Sequence, residues 1–230
     1  MTSRSGFSYP GADDRDPRPQ VVAARRAADE ARRVLDALVA SGAPAADLDA
    51  AATTLAQLAA QLEPHAPASR YDGGDGKIRL DPGEPRFRAY ESHPVAGPSN
   101  PLAPPVRLEL ADDDGNVVGT ATYGRAYEGP PGCVHGGTLA AAFDYVLAVA
   151  TIAAGIPTLT GSLTVRYLRA TPLHREVRYE ARIERVDGRR VHVAGRGLVG
   201  GEVAVEAEGV FVSVDPDRLK RPVGETATAG

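Results

Sequence analysis

The chain has 230 residues and a formal net charge of −4, with 43% hydrophobic and 5% aromatic side chains, no Trp and one Cys. That length holds one substantial domain plus an appendage, with a core built on Ala, Val and Leu. The mild acidity and the lack of a dense Lys/Arg run argue against a nucleic-acid surface. The single Cys133 excludes an intrachain disulfide framework and a multi-Cys metal site, and fits a reducing cytoplasm.

Residues 1–19 are polar and rich in Pro, Gly and Asp, which predicts a disordered N-terminus without the apolar stretch of a signal peptide. Residues 20–62 read as an αα-hairpin. Val22, Ala28, Val34, Leu35, Leu38 and Val39 make one helical stripe, ended by Ser41, Gly42 and Pro44. Leu48, Ala52, Leu55, Leu58, Ala59 and Leu62 make the second. The two apolar faces are expected to pack together or onto the body. Arg25, Arg26, Asp29, Glu30, Arg32 and Arg33 then form a solvated face. Residues 63–83 are Pro- and Gly-rich and read as a linker or covering loop, in which His65 is incidental.

From residue 84 to 214 the period is two. Val106–Leu110 and Val117–Tyr123 are strands joined by an Asp-Gly turn at 112–116. An apolar helix follows from about Gly136 to Ala154, stopped by Gly155 and Pro157. Strands then fall at about Thr158–Leu168, Val177–Val186, Arg190–Leu198 and Val203–Val214, before a flexible tail at 215–230. A helix apolar nearly all round must be buried. The order β-β-α-β-β-β-β is therefore an α+β fold, an antiparallel sheet of five to six strands wrapped around one long apolar helix. The run Leu139–Ile156 is long enough to raise a membrane span, but Asp144 would cost about 2.5–3.5 kcal/mol at mid-membrane. It reads as a core helix instead. A single sheet-and-helix layer leaves edges uncovered, and dimerisation is the usual remedy.

Two features carry chemistry. His135-Gly136-Gly137 opens the apolar helix, where unpaired N–H groups and the positive dipole end suit an oxyanion donor, or simply a tight turn. Asp144 lies within the same helix. A buried carboxylate there needs a partner or a role as general base or nucleophile. The eight positions between Gly136 and Asp144 span about 12 Å of helix, too far for one subunit to bring both to a reacting carbonyl. Two antiparallel helices across a two-fold axis would bring Gly136 of one subunit to Asp144 of the other.

The segment Gly132–Asp144, the strand at 161–168 (GSLTVRYL) and the run PSNPLAPP at 98–105 resemble the PaaI-like hotdog-fold acyl-CoA thioesterases, over roughly residues 90–214. The nearest resemblance is to the branch of thioesterase superfamily members 4 and 5. That resemblance implies a hydrolase that cleaves acyl-CoA to free acid and CoA. It implies dimers or dimers of dimers, with no metal and no cofactor beyond the coenzyme A of the substrate. Asp144 matches the acid that activates water or attacks the thioester, and Gly136 the amide donor to its oxygen. His135 matches the residue that shapes the loop and polarises the carbonyl, and Thr160 the residue that positions the water. Gly137 and Asn100 are further substrate-binding candidates. Arg166 and Arg169 are candidates for CoA phosphates or are solvated strand charges. Cys133 reads as a small buried side chain. The helical hairpin lies outside the family pattern.

Other readings remain. An α/β-hydrolase would need a Gly-x-Ser-x-Gly elbow and βαβ alternation, and Thr160-Gly161-Ser162-Leu163-Thr164 lacks the flanking glycines. A hotdog enoyl-CoA hydratase would need an Asp and a His on one substrate face. A non-catalytic acyl-CoA-binding module gains nothing from a costly mid-helix acid.

Overall fold

The computed structural model describes residues 19–66, 91–104, 106–110 and 116–215. The expectations for residues 1–18, 67–90, 105, 111–115 and 216–230 lie outside the described residues.

Two helices come first, α1 (Pro19–Val39) and α2 (Ala45–Leu62). They are followed by β1 (Arg107–Leu110), β2 (Val117–Thr122), α3 (Gly136–Ala153), β3 (Thr158–Tyr167), β4 (Glu176–Asp187), β5 (Arg190–Val199) and β6 (Glu202–Ser213). The strands form one antiparallel six-stranded sheet in the order β1-β2-β4-β5-β6-β3, and α3 packs on its inner face. This is the sheet around one apolar helix that the alternating and helical periods predict, and the hotdog fold that the resemblance implies. Its one departure is the segment 91–104, which is turn-rich rather than extended. Pro94, Pro98, Pro101 and Pro104 cannot donate to a strand ladder.

By length and composition α3 would cross a membrane, yet nine of its 18 residues are buried against the body. Phe143, Val146 and Leu147 are fully enclosed with Val177, Tyr179, Val193 and Phe211 of the sheet. Burying one such side chain contributes about 1.5–3 kcal/mol. The helix ends where the Gly155 and Ile156 amides fold back on the carbonyls of Ile152 and Thr151, both at 2.9 Å. The Tyr123 and Tyr179 hydroxyls share one hydrogen bond of 2.5 Å in the core, and the Phe143 ring meets Tyr179 edge-on at 5.2 Å. Burial holds both phenols well above their ordinary pKa of 10.0.

The N-terminal helices depart from expectation in their orientation. The inward face of α1 is Val21, Arg25, Ala28, Arg32 and Leu35, while Val22, Val34, Leu38 and Val39 are exposed. Arg25 and Arg32 are therefore not solvated. Arg25 grips the buried Glu91 carboxylate at 2.6 Å, and Ser99 donates to the same carboxylate. Arg32 donates to the carbonyls of Pro98, Asn100 and Ala103 at 3.0, 2.8 and 3.1 Å. Asp36 accepts from the Ala126 amide at 2.9 Å. The physical reason is the proline content of 91–104: each proline keeps its acceptor and lacks a donor, so the loop needs donors from outside. The α2 helix buries none of its residues, and Leu55, Leu58 and Leu62 stay exposed. Among the described residues, its apolar face packs neither on α1 nor on the sheet.

Candidate active site

His135 is the N-cap of α3. Its backbone N–H donates to the Tyr127 carbonyl at 2.8 Å, and its ring Nδ1 accepts from the Gly137 amide at 3.0 Å. The His135 carbonyl takes the Thr138 amide at 3.0 Å. These bonds satisfy two of the orphan donors of the first turn. The Gly136 amide, the first of the helix, has no partner among the described residues. It sits where the dipole favours developing negative charge. Gly137 lies beside it, but its amide is committed to His135. An amide proton can only be donated, so Nδ1 is the lone-pair nitrogen of His135. A neutral ring therefore carries its proton on Nε2. The His135 side chain is exposed, which leaves Nε2 accessible.

Asp144 is half-buried on the face of α3 that meets β3. Its Oδ1 accepts from the Thr160 hydroxyl at 2.8 Å. The strand reaches it through a bulge. Along β3, Leu163, Val165 and Tyr167 pair opposite the buried Gly209, Ala207 and Val205 of β6, so the odd-numbered side chains face inward. Simple alternation would turn Thr160 outward. The register shifts between Thr160 and Ser162, and Thr160 then pairs opposite the buried Phe211, on the inner face. Gly161 makes the bulge possible, because a Cβ there would sit 3.0 Å from the Val210 carbonyl oxygen.

The remaining candidates are placed elsewhere. The Asn100 side chain is used inside its own loop, donating to the Ser92 carbonyl at 3.2 Å and accepting from the Leu102 amide at 3.0 Å. Arg166 reaches Glu206 at 3.0 Å and Glu208 at 3.5 Å on the outer face, and Arg169 pairs with Glu202. These are exposed pairs, each worth about 0–1 kcal/mol, so both arginines remain exchangeable. Cys133 is a half-buried free thiol whose backbone bridges Pro172. The depression among Thr164, Arg166, Glu206, Ala207 and Glu208 carries three charged side chains and none of the candidate catalytic residues. Among the described residues, no group of three His, Cys, Asp or Glu side chains is placed to hold a metal ion.

Sequence reasoning passed over Tyr167. Its hydroxyl donates to the Gly136 carbonyl at 2.8 Å, and a Cβ on Gly136 would lie 3.1 Å from its Cζ. The available signal was its inward parity with Leu163 and Val165. β3 thus carries one half of a candidate site at each end: Thr160 with Asp144, and Tyr167 with the His135–Gly136 helix start.

Residues 131–204, which contain both halves, match the sequence model of the thioesterase superfamily. A solved crystal structure of a thioesterase superfamily protein is 40% identical, covers 83% of this chain and 90% of its own, and superposes with a TM-score of 0.71. The mouse acyl-coenzyme A thioesterase THEM4 is 27% identical over 93 residues, 40% of each chain. The bovine protein of the same name is 27% identical over 109 residues, 46% of this chain and 45% of its own. The chain thus spans less than half the length of these curated relatives.

Proposed function

Because this chain belongs to the thioesterase superfamily, we propose that it hydrolyses acyl-CoA thioesters to a free acid and CoA, at a site assembled from two copies of the chain. The observation that carries the reading is the Thr160–Asp144 hydrogen bond. A carboxylate within an apolar helix is held there by a hydroxyl aimed at it from an exposed edge strand.

The pairing of copies follows from β3. It is the last strand of the sheet, ten residues long, and its outer edge is unpaired among the described residues. Leu159 and Tyr167 on it are 54% and 52% exposed, which marks the strand as a surface awaiting cover. Antiparallel pairing with a second β3 about an axis midway between Thr160 and Tyr167 sets each Thr160 opposite the partner's Tyr167. Asp144 with Thr160 then meets the His135–Gly136 helix start of the other copy, which closes the gap of about 12 Å between them.

In this arrangement the thioester oxygen lies against the Gly136 amide and the His135 Nε2–H. Thr160 donates to Oδ1 and keeps its own lone pairs. A water between Thr160 Oγ1 and Asp144 Oδ2 meets two acceptors, which turns its oxygen toward the carbonyl carbon. Asp144 takes the water proton as the C–O bond forms. The tetrahedral oxyanion is held by the two donors, the C–S bond breaks, and the CoA thiolate recovers the proton from Asp144. Direct attack by Asp144 would instead give a mixed anhydride. In a single turnover in ¹⁸O-water, label recovered in the Asp144 side chain would establish the anhydride route, with water attacking the aspartyl carbonyl.

The test is thiol release across short, medium, long and aryl acyl-CoAs, with Asp144→Ala alongside. Turnover by the parent and a loss of at least about a thousandfold in the variant are expected. Hydrolysis retained by Asp144→Ala would sink the assignment. Acyl-CoA binding without any hydrolysis by the parent would favour a non-catalytic module.

A further inference from the structure

We propose that Tyr167 is a positioning residue that fixes the tautomer of His135 through one peptide group. The inference rests on the thioesterase reading for its catalytic consequence but not for its geometry. Three groups lie in sequence. The Tyr167 hydroxyl donates to the Gly136 carbonyl at 2.8 Å. That carbonyl belongs to the peptide unit whose N–H is the Gly137 amide. The Gly137 amide donates to His135 Nδ1 at 3.0 Å.

A hydrogen bond accepted at a peptide oxygen draws electron density from its nitrogen and makes its N–H a stronger donor. Tyr167 therefore strengthens the bond that keeps Nδ1 deprotonated. The proton of the neutral imidazole stays on Nε2, the accessible nitrogen, where it can be donated to the thioester oxygen. Without Tyr167 the Gly137 amide weakens as a donor, and the Nδ1–H form, which presents a lone pair to that oxygen, gains population. The contact also explains the smallness of position 136. A Cβ there would meet the Tyr167 ring at 3.1 Å and crowd its contact with the helix start.

Tyr167 is 52% exposed, so Tyr167→Phe keeps the ring over Gly136 and removes only the hydroxyl. Two readouts are taken on the full chain. The first is the tautomer of His135 from long-range ¹H–¹⁵N spectra of ¹⁵N-labelled protein at alkaline pH, with the signal assigned by comparison with His135→Gln. The second is kcat and KM on the best acyl-CoA. The parent should show the Nε2–H form. Tyr167→Phe should show a measurable share of Nδ1–H, with kcat lower by about five- to tenfold and KM little changed. An unchanged tautomer in Tyr167→Phe overturns the proposal, whatever happens to kcat. A shifted tautomer with full kcat would overturn the catalytic consequence of the contact. If the parent hydrolyses no acyl-CoA, the thioesterase reading falls, and the spectra alone still decide whether Tyr167 holds His135.

Discussion

Helices α3 and α1 lie on the same body and are held by opposite chemistry. α3 is gripped by Phe143, Val146 and Leu147, which the sheet encloses completely. α1 buries only Ala28, and its anchors are two arginines and an aspartate reaching the backbone and Glu91 of neighbouring loops. Apolar burial fixes α3 without regard to direction, whereas the bonds of α1 hold only while each donor finds its carbonyl. α3 should therefore unfold with the whole domain, and α1 should release before it.

The largest effect should come from Phe143→Ala. It removes a ring packed on Tyr179 and should cost about 3–5 kcal/mol of global stability, read from the urea midpoint. Arg32→Ala comes next, stripping the donors from the carbonyls of Pro98, Asn100 and Ala103. It should cost about 1–3 kcal/mol of α1 docking, seen as faster amide exchange in 19–39 with the exchange of α3 unchanged. Equal acceleration in both helices would break the contrast. The core tyrosines give a pH dependence. Their folded-state pKa values are raised, so stability is present in full below about pH 10. It falls as pH climbs above that, because the unfolded chain releases protons the folded one keeps. A Tyr123→Phe/Tyr179→Phe double variant should flatten the fall, measured as the denaturant midpoint from pH 8 to 11. Least of all, Arg166→Ala breaks only exposed pairs and should change stability by less than about 0.5 kcal/mol.

The same contrast explains what was legible in the sequence. Periods of two and 3.6 placed α3 and the six strands within a residue or two of their observed ends, because apolar burial leaves a periodic trace. It also singled out Asp144, since a carboxylate interrupts that trace. Two things left no such mark. The Thr160 side chain faces inward only because of the bulge at Gly161, and a bulge inverts the parity on which the reading depends. The face of α1 was misassigned because arginines count as solvated in any apolar pattern. Arg25 and Arg32 turn inward to serve a proline-rich loop far along the chain, a pairing of donors with acceptors that no local window contains.

The central claim is that each site takes Asp144 from one subunit and His135 with Gly136 from the other, and mixing two inactive proteins tests it most directly. Asp144→Ala and His135→Ala chains are unfolded and refolded together, then assayed for thiol release. In a hybrid dimer one site collects both substitutions and the other none. An equal mixture should therefore recover about a quarter of wild-type activity, while each variant alone stays inactive. If the mixture is as inactive as its components, with hybrid dimers demonstrated by mass, the shared site is wrong and catalysis must be built within one chain.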